Sequence, residues 1–481
     1  MLNQADKRNG DQSEEFARRF PHRHRFLAHG PDVTRRRFFE VAGTGLLGSY
    51  LAGKAEAAEE ITAAGVVPRN SAKNVIFIHL LGAISAIDTF DLKAVTGSST
   101  RLNPAKINGI DWPAGLLPKL GGLLGDVAIV RSMSAWALVH SLAQTWAQIG
   151  RNPAAALGDI APNMGSIVAI EKDVERKSGQ VFPAFVALNA PASSGGGYLP
   201  ATFAPFRING AGAGIPNTVN NNPGQQAGFN TMFSRLHQLD DPLRVRSPYG
   251  TRFEDYDAFY AAAKGLMYNP AVSAAFAVIA ADSQRYGNTP FGNACLVAKQ
   301  MLAANQGTRF IQIDFGSWDM HGDIYGQQNP NGNNLFRMGP QLDNGVSAML
   351  ADLKSSGLLN ETLVVIMGEF GRTAAISAAG GRDHYLVQSV VFAGGGVKGG
   401  KVIGATTPDA SRNIITVSDY GWKGSGNTGP RLVRPEDVEA TIYDAMGIDY
   451  TKVRMDDPYR RGFEYVPFGA QGAYGPINEL F

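Results

Sequence analysis

The sequence predicts an α/β fold, a mostly parallel central sheet with helices on both faces. Short apolar runs rich in β-branched residues recur along the chain, and stretches with helical spacing separate them. Two of those runs end in glycine-containing turns that carry Asp, His or Glu, where open α/β sheets bind their ligands. The strand-like runs are Val75–Leu81, Val127–Val130, Phe185–Leu188, Phe310–Ile313, Leu363–Met367 and Val390–Ala393. Helical spacing covers Asp255–Arg285, Gly292–Ala304, Leu335–Ser355 and Pro435–Met446, the last opened by Arg434-Pro435-Glu436-Asp437. Residues 193–226 are crowded with Gly, Asn and Pro and read as an inserted loop, either a lid beside a site or a plain surface loop.

The N-terminus reads as a twin-arginine export signal over residues 1–57. Thr34-Arg35-Arg36-Arg37-Phe38-Phe39 precedes a weakly apolar run from Val41 to Ala52, which falls short of the roughly 20 residues that span a bilayer. Ala55, Ala57 and Ala58 follow, and cleavage is expected near Ala57. That signal implies passage through the twin-arginine translocase to the periplasm or beyond, with residues 58–481 as the mature domain. Net charge is +2 with much of the basic excess in the leader, so no nucleic-acid partner is implied. Cys295 is the single cysteine, which excludes an intrachain disulfide and a thiolate metal cluster. Its apolar neighbours Ala294, Leu296 and Val297 read as a buried helix face.

The chemistry concentrates in three turns. Gly316-Ser317-Trp318-Asp319-Met320-His321 follows one predicted strand, Gly368-Glu369-Phe370-Gly371-Arg372-Thr373 follows another, and Arg382-Asp383-His384 lies shortly beyond. One Asp-x-His triplet in a loop is usually a turn with a solvated histidine, but joint placement after strands points to a shared site. Imidazole and carboxylate groups suit zinc first, with manganese, calcium and iron as alternatives, and Arg372 and Thr373 suit an oxyanion. Of the other mature histidines, His79 sits in an apolar strand and reads as a satisfied core residue, and His237 reads as surface.

These motifs, with the leader and the later Ala393-Gly394-Gly395-Gly396-Val397-Lys398-Gly399-Gly400, resemble the exported bacterial family catalogued as domain of unknown function 1501. That family is similar to the alkaline phosphatase and sulfatase superfamily. The resemblance implies an alkaline phosphatase-like fold, one or two metal ions at the carboxyl ends of the sheet, and hydrolysis of a small anionic phosphate or sulfate ester. Carried onto this chain, it places Asp319, His321, Glu369 and His384 as metal ligands, Asp383 as ligand or partner of His384, and Arg372 and Arg131 as anion binders. A second exported protein is an expected partner on the same ground.

The chain departs from the pattern at two places. Ser85 and Ala86 stand where relatives carry an acid and a histidine, which leaves Asp88 as a substitute ligand or a helix cap. Ser134 stands where a histidine is usual, although His140 follows and joins the metal candidates. The nucleophile stays open among Ser132, Ser134, Ser141 and a metal-bound water. Two readings result: a metal-dependent ester hydrolase, or a degenerate relative that serves in binding or envelope assembly.

Overall fold

The computed structural model describes residues 66–208, 215, 224–244, 260–407 and 432–481. The export leader, and residues 209–214 and 216–223 of the loop-rich insertion, lie outside the described residues. All described residues belong to one unit, Val66–Phe481.

Eight strands build one sheet: β1 (Asn74–His79), β2 (Val127–Ser134), β3 (Phe185–Leu188), β4 (Phe206–Ile208), β5 (Phe310–Asp314), β6 (Thr362–Met367), β7 (Val387–Ala393) and β8 (Lys401–Ile403). Their order is β8-β2-β7-β6-β1-β5-β3-β4. Only β7 runs antiparallel to its neighbours, and every other pairing is parallel. β1 shows why both faces must be covered, since all six of its residues are buried. Val75 and Phe77 point into one core and Ile76 and Ile78 into the other.

Five helices shape the core and the site: α1 (His140–Ile149), α2 (Met164–Glu171), α3 (Pro290–Ala304), α4 (Leu335–Ser355) and α5 (Pro435–Ala445). α3 and α4 cover one face with Leu296, Val297, Leu342 and Val346. α2 and α5 cover the other with Met164, Ile167, Val438 and Ile442. Their starts follow local rules. Thr289 accepts from Gly292 N ahead of α3, Asn334 accepts from Arg337 N ahead of α4, and Pro290 and Pro435 occupy first-turn positions where no amide is needed. Cys295 is buried in α3, and burial pushes its thiol pKa up, as a packing residue requires.

The structure corrects several sequence expectations. The stretch read as helical from Asp255 is broken among the described residues, with separate short helices at Pro270–Ala275 and Ala280–Arg285. Pro270 cannot donate to a preceding turn, so it starts a helix rather than continuing one. The insertion contributes a strand, β4, that pairs with β3 at the sheet edge. β8 had no sequence expectation. His79 is in the core as expected, yet neither ring nitrogen has a hydrogen-bond partner among the described residues.

Candidate metal centre

Strand register brings the site loops together. In β1, His79 lies opposite Asp314 of β5 and Met367 of β6, so the three following loops leave the sheet side by side. Leu81 N donates to Phe315 O at 3.0 Å and Trp318 N to Leu81 O at 3.1 Å, which docks the first loop on the second. Gly82 makes this approach possible: at φ +99° it takes a backbone that side chains avoid, and a Cβ there would lie 2.4 Å from Asp319 N. Gly381 does the same for the loop that carries His384, since a Cβ there would lie 2.0 Å from the His321 carbonyl carbon. Residues His384–Tyr385 then pair with Gly371–Arg372 as a two-stranded ladder.

Four side chains converge: His140 from the start of α1, Asp319 and His321 from the loop after β5, and His384. One ligand atom from each lies within 4.8 Å of all the others. Asp319 Oδ1 stands 3.3 Å from His140 Nε2, 3.1 Å from His321 Nε2 and 3.6 Å from His384 Nε2. His321 Nε2 and His384 Nε2 are 2.9 Å apart. A tetrahedral ion with bonds of about 2.0–2.1 Å needs ligand separations of about 3.3–3.4 Å, which these distances straddle.

The atoms behind the rings decide which nitrogen carries hydrogen. His140 Nδ1 faces Glu369 Oε1 at 2.7 Å, His321 Nδ1 faces Asp383 Oδ1 at 2.9 Å, and His384 Nδ1 faces the Leu138 carbonyl at 2.7 Å. All three partners are acceptors, so each neutral ring bears its hydrogen on Nδ1 and turns the Nε2 lone pair inward. His140 Nε2 is buried without a hydrogen-bond partner, and the lone pairs of His321 and His384 face each other. A cation among them removes that conflict, so the residues fit a metal ion.

Glu369 is itself fully occupied. Gly82 N, at 2.8 Å, and Gln144 Nε2, at 2.9 Å, donate to Oε1 beside His140, while Ala83 N donates to Oε2 at 3.2 Å. Desolvation pushes this buried carboxyl up, but the His140 contact, the nearby His79 and Gln144 together hold it below the usual range. The Glu369 hydrogen bond in turn raises the His140 pKa, while burial lowers that of His384. Asp319 also sits below its ordinary value: desolvation pushes it up, and the Arg372 hydrogen bond and charge outweigh that.

Arg372 is buried against the cluster and uses all five N–H groups. Nε donates to Ala83 O at 3.0 Å, Nη1 to Arg382 O at 3.1 Å and to His321 Nε2 at 3.3 Å, and Nη2 to Asp319 Oδ1 at 2.6 Å and to Gly82 O.

A family model described as "Protein of unknown function (DUF1501)" matches residues 72–460. The chain belongs to the DUF1501 family. No curated protein matches it. Similar solved structures include a sulfatase from Pseudoalteromonas sp., at 12% identity over 84% of this chain and 72% of that one, with TM-score 0.37. Another is a protein in the alkaline phosphatase superfamily from Vibrio parahaemolyticus, at 11% identity over 85% and 76%, also with TM-score 0.37. A phosphonate monoester hydrolase of Agrobacterium radiobacter is similar at 10% identity over 78% and 74%, with TM-score 0.36.

The remaining site expectations for this DUF1501 chain fall outside the converging atoms. Glu369 and Asp383 stand behind His140 and His321 rather than among the inward-facing atoms. Asp88 is a correction: it is fully buried and its carboxylate receives Arg382 Nε at 2.7 Å, Arg382 Nη2 at 3.0 Å, Tyr325 Oη at 2.7 Å and Ser85 Oγ at 2.6 Å. Four donors leave it no lone pair to offer. Arg131 turns to Phe90 O at 2.9 Å and Asp91 Oδ1 at 3.2 Å, with burial lowering its pKa. Ser132 and Ser134 are buried in β2, whereas Ser141 is exposed in the first turn of α1, directly after His140. Thr373 Oγ1 accepts from Asp383 N at 3.1 Å and so holds the loop that presents His384. Sequence reasoning missed Gln144 and the Leu138 carbonyl; the spacing of Gln144, one helical turn after His140, was the available signal.

Proposed function

We propose that this DUF1501 protein is an exported metal-dependent hydrolase of small phosphate or sulfate esters. One observation carries the reading: three imidazoles, each anchored at Nδ1 by an acceptor, turn Nε2 toward Asp319 Oδ1. Three nitrogen ligands and one carboxylate favour zinc, then manganese or iron, over calcium, which prefers oxygen. A bound ion would supply Lewis-acid stabilisation of developing negative charge and lower the pKa of a bound water. The chain's own part is to hold that charge in place. Arg372 aims one N–H at His321 Nε2, and that hydrogen is free for an anionic ester oxygen once the nitrogen is a ligand. Ser141 directly follows the ligand candidate His140 in the chain and is the exposed one of the three serine nucleophile candidates.

A second reading, a metal-stabilised binding or envelope-assembly protein, is favoured by two facts. Arg372 spends its other four N–H groups inside the protein, and Ser132 and Ser134 are buried. Metal analysis of the purified protein and a screen of phosphate and sulfate monoesters, with and without chelator, separates the two. Turnover that chelator abolishes and added ion restores supports the hydrolase. Bound metal without turnover supports the second reading, and a protein that takes up no divalent ion sinks both. Transit through the twin-arginine translocase is tested by fractionating cells that express Arg35→Lys/Arg36→Lys, which should retain the protein in the cytoplasm.

A further inference from the structure

Arg372 is an uncommon neighbour for a metal site, because its donors point at the lone pairs an ion would use. Nη2 stands 2.6 Å from Asp319 Oδ1 and Nη1 stands 3.3 Å from His321 Nε2. The guanidinium cannot swing aside. It is buried, and the carbonyls of Gly82, Ala83 and Arg382, on two separate loops, clamp its other three N–H groups. Any ion that binds the four converging side chains therefore does so beside a fixed positive charge whose own guanidinium is withdrawn from water.

The charge count points the same way. Asp319, Glu369 and Asp383 bring three negative charges and Arg372 one positive, with the histidines neutral as ligands. The net of two negative charges is cancelled by one divalent ion. A second ion would leave the pocket strongly positive, and among the described residues no other group of three or more His, Cys, Asp or Glu side chains converges to hold it.

We propose that Arg372 is a permanent second cation of a centre that takes a single divalent ion, and that it weakens the hold on that ion. The inference rests on the metal reading above and goes beyond it in stoichiometry and affinity. The competing view is that Arg372 is a structural brace whose charge has no effect on the ion.

Titration of the metal-stripped protein with Zn²⁺ against a chromophoric chelator tests this, using wild type, Arg372→Gln and Arg372→Lys, with melting curves for each. Wild type should take one equivalent. The Gln variant, which keeps hydrogen-bonding capacity without charge, should bind Zn²⁺ at least tenfold more tightly, while the Lys variant should stay within about threefold of wild type. Two equivalents in wild type overturn the proposal, and so does a folded Gln variant that binds no tighter than the Lys variant. Should both variants fail to fold, the wild-type stoichiometry alone decides. One tightly held ion in wild type with an unchanged Gln variant removes this inference and leaves the metal reading intact. No ion in wild type overturns the metal reading and this inference with it, whatever the Gln variant binds.

Discussion

Asp319 and Asp88 both sit near strand ends, and both face an arginine. Asp88 is fully buried and receives four hydrogen bonds, two of them from Arg382, in a pair that no solvent reaches. Asp319 is half-exposed, receives Arg372 Nη2, and otherwise looks onto three imidazole lone pairs. The residue type is the same and the chemistry differs, because the number of donors aimed at a carboxylate decides whether it has anything left to give. A saturated carboxylate is a brace, and an unsaturated one among lone pairs is a ligand.

The largest effect that would break this contrast is at the converging atoms. His384→Ala should abolish stoichiometric binding of zinc at micromolar concentration with little loss of fold, as read by metal analysis and a thermal melt; Asp319→Asn should abolish it too, and also takes the counter-charge from the buried Arg372. Asp88→Asn should do the reverse. It leaves Arg382 buried without its counter-charge, which costs about 3–5 kcal/mol of stability in a denaturant titration. Strong zinc loss at Asp88 with unchanged stability would mean that donor counting had misassigned the two aspartates.

The carboxylates behind the rings should fall between these extremes. Glu369→Gln and Asp383→Asn each replace the charged acceptor that fixes a histidine by a neutral amide, and partners of this kind are worth about 10–100-fold in metal affinity. Glu369→Gln is expected at the upper end, because Glu369 is buried and also orders Gly82 and Ala83, while Asp383 is exposed and its contact is screened. Equal losses at both positions would show that burial of the partner has no influence.

Much of this was legible in the sequence. β1, β3, β5 and β6 announce themselves because strands buried on both faces must be continuously apolar. Asp319, His321 and His384 stand out because they follow those strands in glycine-bearing turns. What the sequence withheld is geometry on the scale of one side chain. Whether Glu369 meets a metal or the far side of His140 depends on which ring nitrogen it reaches, and its residue type does not record that. β4 and β8 are three-residue edge strands, too short to show a period. α1 follows the exposed loop residues Trp136, Leu138 and Val139, and its N-cap Val139 makes no side-chain cap, so the sequence marks its start near Ser141 without fixing its length.

A third carboxylate sharpens the rule at the opposite end. Glu439 in α5 is buried and receives one hydrogen bond, from Tyr443 Oη at 2.7 Å, while its Oε2 has no partner among the described residues. A Cβ at Gly150 would lie 1.6 Å from that oxygen, so the space beside it is already closed. Burial pushes its pKa up to about 8, with Arg151 and the Tyr443 hydrogen bond opposing that rise. The folded chain thus keeps a proton that the unfolded chain releases near the ordinary glutamate value of about 4.5. The resulting stability is complete below about pH 4.5 and falls between there and about pH 8, at up to about 1.4 kcal/mol per pH unit. Glu439→Gln is neutral in both states and removes this slope. Its stability relative to wild type should therefore rise steadily from pH 5 to pH 8 in urea titrations. A constant offset across that range would show that Glu439 is ionised in the fold and has found donors that its surroundings do not reveal.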